Sequence, residues 1–185
     1  MTRIISGTAG GRRLRVPPAG TRPTSDRVRE ALFNLLEARM DFDDMRVLDL
    51  YAGSGALGLE ALSRGASHAL LVESDRKAAT IIRGNISDLG LPGAELRMTT
   101  AAGTLGGRPA APYDLVFSDP PYAVEVSEVL DDLRALIANG WLHDGALLVV
   151  ERSTRSPELI WPEGYTPQKS RVYGETRLDL AEYEP

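Results

Sequence analysis

The chain of 185 residues contains no cysteine. Disulfides, thiolate nucleophiles and cysteine-ligated zinc or iron–sulfur centres are therefore excluded. Histidine is nearly absent: His68 and His143 are the whole supply, too few for a histidine-rich cluster, so no metal centre is expected. Long apolar runs are missing as well. Stretches such as Ala146 to Val150 fall far short of the ~20 residues that span a bilayer. The N-terminus lacks the apolar core of a secretory signal. No membrane partner is expected, and a cytoplasmic location follows by default. No internal repeat is found. What remains is a globular balance, 43% hydrophobic and 25% charged, at a length suited to one domain.

Net charge is −5, which by itself argues against a nucleic-acid partner. The distribution reverses that argument. Residues 1–29 carry seven arginines (Arg3, Arg12, Arg13, Arg15, Arg22, Arg27 and Arg29) against one acid, Asp26. That is +6, which leaves −11 on the other 156 residues. Arginines contact phosphates without reading sequence. A basic arm on an acidic body is a different object from a uniformly acidic protein. Arg3, Arg12, Arg13, Arg15, Arg22 and Arg27 are the candidate contacts to a nucleic-acid backbone.

Residues 2–6 and 12–16 read as short strands around Gly7-Thr8-Ala9-Gly10-Gly11, a small hairpin. Pro17, Pro18, Gly20 and Pro23 break the chain into an extended loop. The arm is expected over residues 1–23 and the main domain over 24–185. A helix starts at Thr24 or Ser25 and runs to about Arg39, with Val28, Ala31, Leu32, Leu35 and Leu36 on one face. Strands and helices then alternate. Strands are expected at 47–51, 68–73, 94–99, 113–118 and 145–151, and helices at 56–64, 75–89 and 124–138. Residues 101–112 read as a loop with at most one helical turn. Strand-like pieces at 166–172 and 177–182 flank Gly174 and predict a closing antiparallel hairpin. The alternation predicts an α/β fold, a mostly parallel sheet with helices on both faces.

Gly53-Ser54-Gly55-Ala56-Leu57-Gly58 follows a strand and opens a helix. Glycines there permit a tight turn and close approach of a ligand to the backbone. Glu73 ends the next strand, eighteen residues after Gly55, and can accept both hydroxyl hydrogens of a ribose. An adenosine-containing cofactor fits, either a nicotinamide dinucleotide or S-adenosylmethionine. Asp49 precedes Gly53 by four residues. Asp-x-x-x-Gly-x-Gly resembles motif I of the class I methyltransferases, where the acid helps position the methionine part of the cofactor.

Asp119-Pro120-Pro121-Tyr122 ends the fourth strand of the series. The prolines fix the backbone and remove two donors. A cluster of acceptors remains, the Asp119 carboxylate and carbonyls such as that of Pro120. These suit an exocyclic amine, and Tyr122 offers a face on which a base stacks. The motif resembles that of the amino-methyltransferases and is shared by enzymes acting on adenine in DNA.

Three further stretches narrow the resemblance: Arg3-Ile4-Ile5-Ser6-Gly7 with Gly11-Arg12-Arg13-Leu14, Gly20 through Asn34, and Arg171-Val172-Tyr173-Gly174. Together with Asp49 through Ala61 they are similar, in order and over nearly the whole length, to the RsmD family. The resemblance implies a Rossmann-like methyltransferase fold with a seven-stranded sheet. It implies a monomeric enzyme that uses S-adenosylmethionine to methylate the N2 amine of one guanine in 16S ribosomal RNA, with the small subunit or a late assembly particle as partner. By the same carry-over, Asp119, Pro120 and Tyr122 hold the guanine. Asp49, Gly53, Gly55 and Glu73 hold the cofactor, with Tyr51, Ala52 and Ser54 beside them. The region of the third cofactor contact, Thr99-Thr100-Ala101-Ala102, departs from the pattern, having neither acid nor amide. Competing readings are a DNA adenine-N6 methyltransferase, a nicotinamide-dependent oxidoreductase and a non-catalytic RNA-binding assembly factor.

Overall fold

The computed structural model describes residues 2–18 and 25–185. The chain runs β1 (Thr2–Arg3), β2 (Arg13–Leu14), α1 (Asp26–Glu37), β3 (Arg46–Leu50), α2 (Ala56–Ser63), β4 (His68–Val72), α3 (Arg76–Leu89), β5 (Ala94–Arg97), α4 (Ala101–Leu105), β6 (Tyr113–Ser118), α5 (Val126–Ala138), β7 (Leu142–Ser153), β8 (Tyr165–Pro167), β9 (Arg171–Tyr173) and β10 (Thr176–Tyr183). The main sheet has the order β5-β4-β3-β6-β7-β10-β8, and β9 pairs with β10 off this path. The first five strands of that order are parallel, and β10 is antiparallel to β7. The order reverses between β3 and β6. Ligands of open α/β sheets bind at such a switch point, outside the carboxyl ends of the strands.

Two differences from the sequence reading have local causes. The expected strand at 166–172 is two strands, β8 and β9, separated at 168–170; both pair with β10. The main sheet therefore has eight strands rather than seven. The expected strand at 145–151 extends at both ends, because Leu142 pairs with Tyr113 of β6 and β10 pairs with the strand as far as Ser153. Residues 101–105 form the expected single short helix, capped by the Thr100 hydroxyl, which accepts from the Gly103 amide at 2.9 Å.

The helices start where side chains satisfy their free amides. Ser25 accepts from the Val28 amide at α1, and Asp75 accepts from the Ala78 amide at α3. The core lies on both faces of the sheet. On one face α1, α2 and α3 pack through Leu32, Phe33, Leu59 and Ile82, and the N-terminal hairpin joins them through Ile4, Ala9 and Leu14. On the other, α4 and α5 cover β3, β6 and β7 with Leu105, Leu133, Leu136 and Trp141.

Candidate active site

Parallel register brings the motifs to one edge. Leu50 pairs with Ser118, so the residues after them, Tyr51 and Asp119, leave adjacent strands at the same height. Asp49 pairs with Leu71, which puts Glu73 level with Tyr51 on the other side. The glycine turn, the strand-end acid and the Asp-Pro-Pro-Tyr segment thus meet at the switch point.

The turn needs left-handed backbone. Gly53 has φ 62°, and Gly55, which caps α2, has φ 82°. Tyr51 adopts φ 58° between them and the strand. A Cβ on Gly53 would meet nothing within 4 Å. Gly58 serves packing instead: a Cβ there would lie 2.3 Å from Leu71 Cδ2. It is the residue that lets α2 sit against β4. Ala52 ties the turn to β4 through its amide, which donates to the Val72 carbonyl at 2.8 Å.

Two carboxylates shape this edge. Glu73 Oε1 accepts from the Gly53 amide and Oε2 from the Asp75 amide, each at 2.8 Å. Each oxygen keeps acceptor capacity for a ligand hydroxyl. Asp49 is buried, and its Oδ2 accepts from the Gly58 amide at 3.1 Å. Burial, with a smaller push from the Glu73 charge, lifts its pKa to about 7 against the hydrogen bond from Gly58. A buried acid held in this state favours a cationic partner. The donor set therefore fits a ligand with a ribose and positive charge. It does not fit a pyrophosphate, which would bring two negative groups to an already acidic edge.

The Asp119-Pro120-Pro121-Tyr122 segment leaves the end of β6 as irregular chain. Asp119 and Pro120 are half-buried, whereas Tyr122 is 74% exposed. The Val124 amide donates to the Pro121 carbonyl at 3.0 Å and closes the turn into α5. Tyr122 borders a cleft of about 330 Å³ that is also lined by Ser153, Arg155, Ser156 and Glu175.

A family model described as "Conserved hypothetical protein 95" matches residues 2–182. Ribosomal RNA small subunit methyltransferase D of Escherichia coli K12 is 39% identical over 183 residues, covering 98% of this chain and 90% of that protein. The chain belongs to the RsmD family. Putative rRNA methyltransferase YlbH of Bacillus subtilis is 37% identical over 169 residues, covering 85% of this chain and 87% of that one. A solved structure, putative methyltransferase yhhF from Escherichia coli, superposes with a TM-score of 0.87 at 36% identity, covering 99% of this chain and 98% of that one. The fold is thus that of the class I methyltransferases.

Set in that family, some of the expected contacts take other roles. The Tyr51 side chain turns to α5, where its hydroxyl donates to Asp132 Oδ2 at 2.5 Å. Burial and this bond push the Tyr51 pKa up, and burial likewise raises that of Asp132. Ser54 is buried and contributes its carbonyl to Asn85.

Asn85 was not singled out by sequence, yet it joins the arm to the turn. It is fully buried on α3. Its Oδ1 accepts from the Arg15 amide at 2.8 Å, and its Nδ2 donates to the Arg15 carbonyl at 3.0 Å and the Ser54 carbonyl at 2.8 Å. A signal existed: Asn85 falls in step with Ala78, Ile82 and Leu89 on the apolar stripe of α3. An amide there has to be satisfied by a built partner.

The arm arginines divide into groups. Arg12 donates to the Asp88 carbonyl at 2.6 Å, and Arg15 pairs with the Asp88 carboxylate at 3.1 Å. Arg3 lies 4.0 Å from Asp26. Arg13 and Arg27 are exposed. Arg22 lies outside the described residues. Arg29, counted in the +6, is wholly buried and pairs with Asp26 at 3.0 Å and Glu60 at 3.5 Å. It is structural. Body charge is also uneven. Asp41, Asp43, Asp44, Asp114 and Asp144 line a cleft of about 380 Å³ at the amino ends of the strands, opposite the glycine turn.

His68 and Trp141 have packing roles. His68 Nε2 is 3.1 Å from the Tyr113 hydroxyl, and Trp141 Nε1 donates to the Gly107 carbonyl at 3.0 Å.

Proposed function

We propose that this chain transfers a methyl group from S-adenosylmethionine to the N2 amine of a guanine in 16S ribosomal RNA, within the small subunit or a late assembly particle. One observation carries this reading. The Asp119-Pro120 acceptors leave β6 at the height at which the cofactor turn leaves β3, on one edge of one sheet. The relatives named as small-subunit ribosomal RNA methyltransferases support the substrate. When bound, the cofactor supplies an electrophilic methyl on a sulfonium centre, so a strong base is not required. Asp49 and Glu73 balance its positive charge, and Glu73 accepts from the ribose hydroxyls.

An exocyclic amine is a weak nucleophile because its lone pair is delocalised into the ring. Asp119 and the Pro120 carbonyl accept the amine hydrogens and turn the lone pair out of the ring plane. As positive charge grows on nitrogen, the Asp119 carboxylate stabilises it; the S–methyl bond breaks to leave a neutral thioether, and the surplus proton leaves the nitrogen after transfer. The chain thus works mainly by alignment. Tyr122 stacks on the base, which reaches the edge only when unpaired or flipped out. The acidic cleft at the opposite edge repels phosphate, so RNA is steered to the carboxyl side. The test of the reading is transfer of labelled methyl from S-adenosylmethionine into small subunits prepared without the modification. Label in ribosomal RNA is expected; label entering duplex DNA alone would overturn it.

Asp49 makes cofactor affinity depend on pH. Folding raises its pKa from 3.8 to about 7, so the native state holds this proton more tightly than the unfolded chain. On this group's account stability therefore falls as pH rises from 3.8 to about 7. A cationic ligand selects the carboxylate. Affinity should rise by up to about tenfold per pH unit below 7 and level off above it. Asp49→Asn should flatten the profile. Equilibrium titrations at several pH values check this, and a flat wild-type profile would contradict it.

Asn85→Ala strands the Arg15 amide and carbonyl and the Ser54 carbonyl. Of these, the Ser54 carbonyl is in a buried bond, and leaving it unsatisfied costs about 1–3 kcal/mol. Cofactor affinity is expected to drop about tenfold, because the turn loses its brace. Arg15→Ala should leave that affinity intact, since Asn85 binds only the Arg15 backbone. Calorimetric titration of both variants measures the difference.

A further inference from the structure

We propose that the cleft between Tyr122 and the turn after β7 holds the phosphodiester beside the methylated nucleotide. Arg155 is its phosphate-binding group, and Glu175 is the counter-ion that RNA displaces. The inference rests on the RNA reading above and adds to the arm a second place where the chain grips RNA.

Position is the first argument. Arg155 and Tyr122 line the same cleft of about 330 Å³. A nucleotide whose base stacks on Tyr122 therefore has a guanidinium within its own cleft. The second argument is rigidity. The turn is closed by the Thr154 amide on the Glu175 carbonyl and the Ser156 amide on the Ser153 carbonyl, both at 3.0 Å. The Arg155 amide donates to Ser153 Oγ at 3.1 Å. Arg152 then donates to the Pro157 carbonyl at 2.6 Å, and Arg177 to the Ser156 and Pro157 carbonyls at 3.1 and 3.0 Å. Two arginines spend their donors fixing the turn that carries a third.

Charge is the third argument. Arg152, Arg155 and Arg177 converge on this one turn. The Arg152 pKa is lowered by burial and then by the nearby Arg177 charge, with Asp179 opposing. Asp179 pairs with Arg177 at 3.1 Å and Arg152 is turned to the Pro157 carbonyl, which leaves Arg155 as the exposed cation of this turn. Arg155 itself meets Glu175 through one 3.3 Å contact, and the two side chains are 84% and 63% exposed. Such a pair contributes little. A phosphate accepts two parallel bonds from a guanidinium and displaces it readily.

The test uses the full chain with small subunits lacking the modification. It measures KM, kcat and the salt dependence of binding, alongside the Kd for S-adenosylmethionine. Arg155→Ala should raise KM roughly fivefold or more and flatten the slope of log Kd against log salt by about one. Arg155→Lys should recover much of the loss. Glu175→Gln should act in the opposite sense and tighten RNA binding about two- to threefold, since it removes the competing anion. Cofactor Kd should not move in any variant. Equal weakening in Arg155→Ala and Glu175→Gln would make the pair structural and overturn the inference, as would no change in either. Wild-type protein that methylates no ribosomal RNA would instead overturn the functional reading on which this rests, so the two failures are distinguishable.

Discussion

Asp119→Ala is expected to slow methyl transfer by about 10²–10³-fold while cofactor affinity and melting temperature stay near those of the wild type. Asp119 stands just beyond the last paired residue of β6 and is half-buried outside the core. It belongs neither to the paired residues of the sheet nor to the Asp49–Gly55 turn. What disappears is the anion facing the amine as positive charge grows on nitrogen. That interaction strengthens in the transition state, so kcat should fall more than KM rises. Asp119→Asn keeps one acceptor oxygen and should retain more activity than the alanine variant. Single-turnover rates on small subunits provide the measurement. Undiminished turnover in Asp119→Ala would remove Asp119 from the chemistry.

Glu60→Ala should carry the largest stability cost, about 3–5 kcal/mol. Glu60 is fully buried on α2. It accepts from the Ile5 amide at 2.8 Å, the Ser6 amide at 3.1 Å and Arg64 Nε at 2.9 Å, and it faces Arg29 at 3.5 Å. Without it, a wholly buried guanidinium keeps, among the described residues, Asp26 and the Arg3 carbonyl. The hairpin loses its anchor at the same moment. At about 2–4 °C per kcal/mol, the melting temperature should drop by roughly 6–20 °C. Proteolysis should begin within residues 2–18. Adding Arg29→Met to Glu60→Leu should recover only the part of the loss due to the stranded Arg29 guanidinium, because the Ile5 and Ser6 amides and Arg64 Nε still lose their acceptor. A shift in Glu60→Ala below about 1 kcal/mol would contradict this account of the buried pair.

The parallel sheet was legible because each strand is a short apolar run bounded by a break, and β6 lies at the expected 113–118. The site edge was legible because Gly53, Gly55, Glu73 and Asp119 are read by spacing, which register then turns into proximity. Other features depend on through-space partners that periodicity does not encode. Tyr51 turns away because Asp132 sits 81 residues later. Asn85 matters because Arg15 and Ser54 come from elements far from it in sequence. The charge count treated Arg29 as part of a nucleic-acid arm, whereas Glu60 draws it into the core. The described part of the arm, residues 2–18, is no loose leader. Ile4, Ala9 and Leu14 bury it against the body. Its exposed arginines are therefore held on a fixed surface, which suits orientation of a large RNA better than a flexible tail would.

Mass spectrometry of nucleosides from small-subunit RNA, after reaction with the purified protein and S-adenosylmethionine, tests the central claim most directly. The account predicts a single new product, N2-methylguanosine, at no more than one per subunit, formed about 10²–10³-fold more slowly by Asp119→Ala. Methylation on another atom or another base would contradict it.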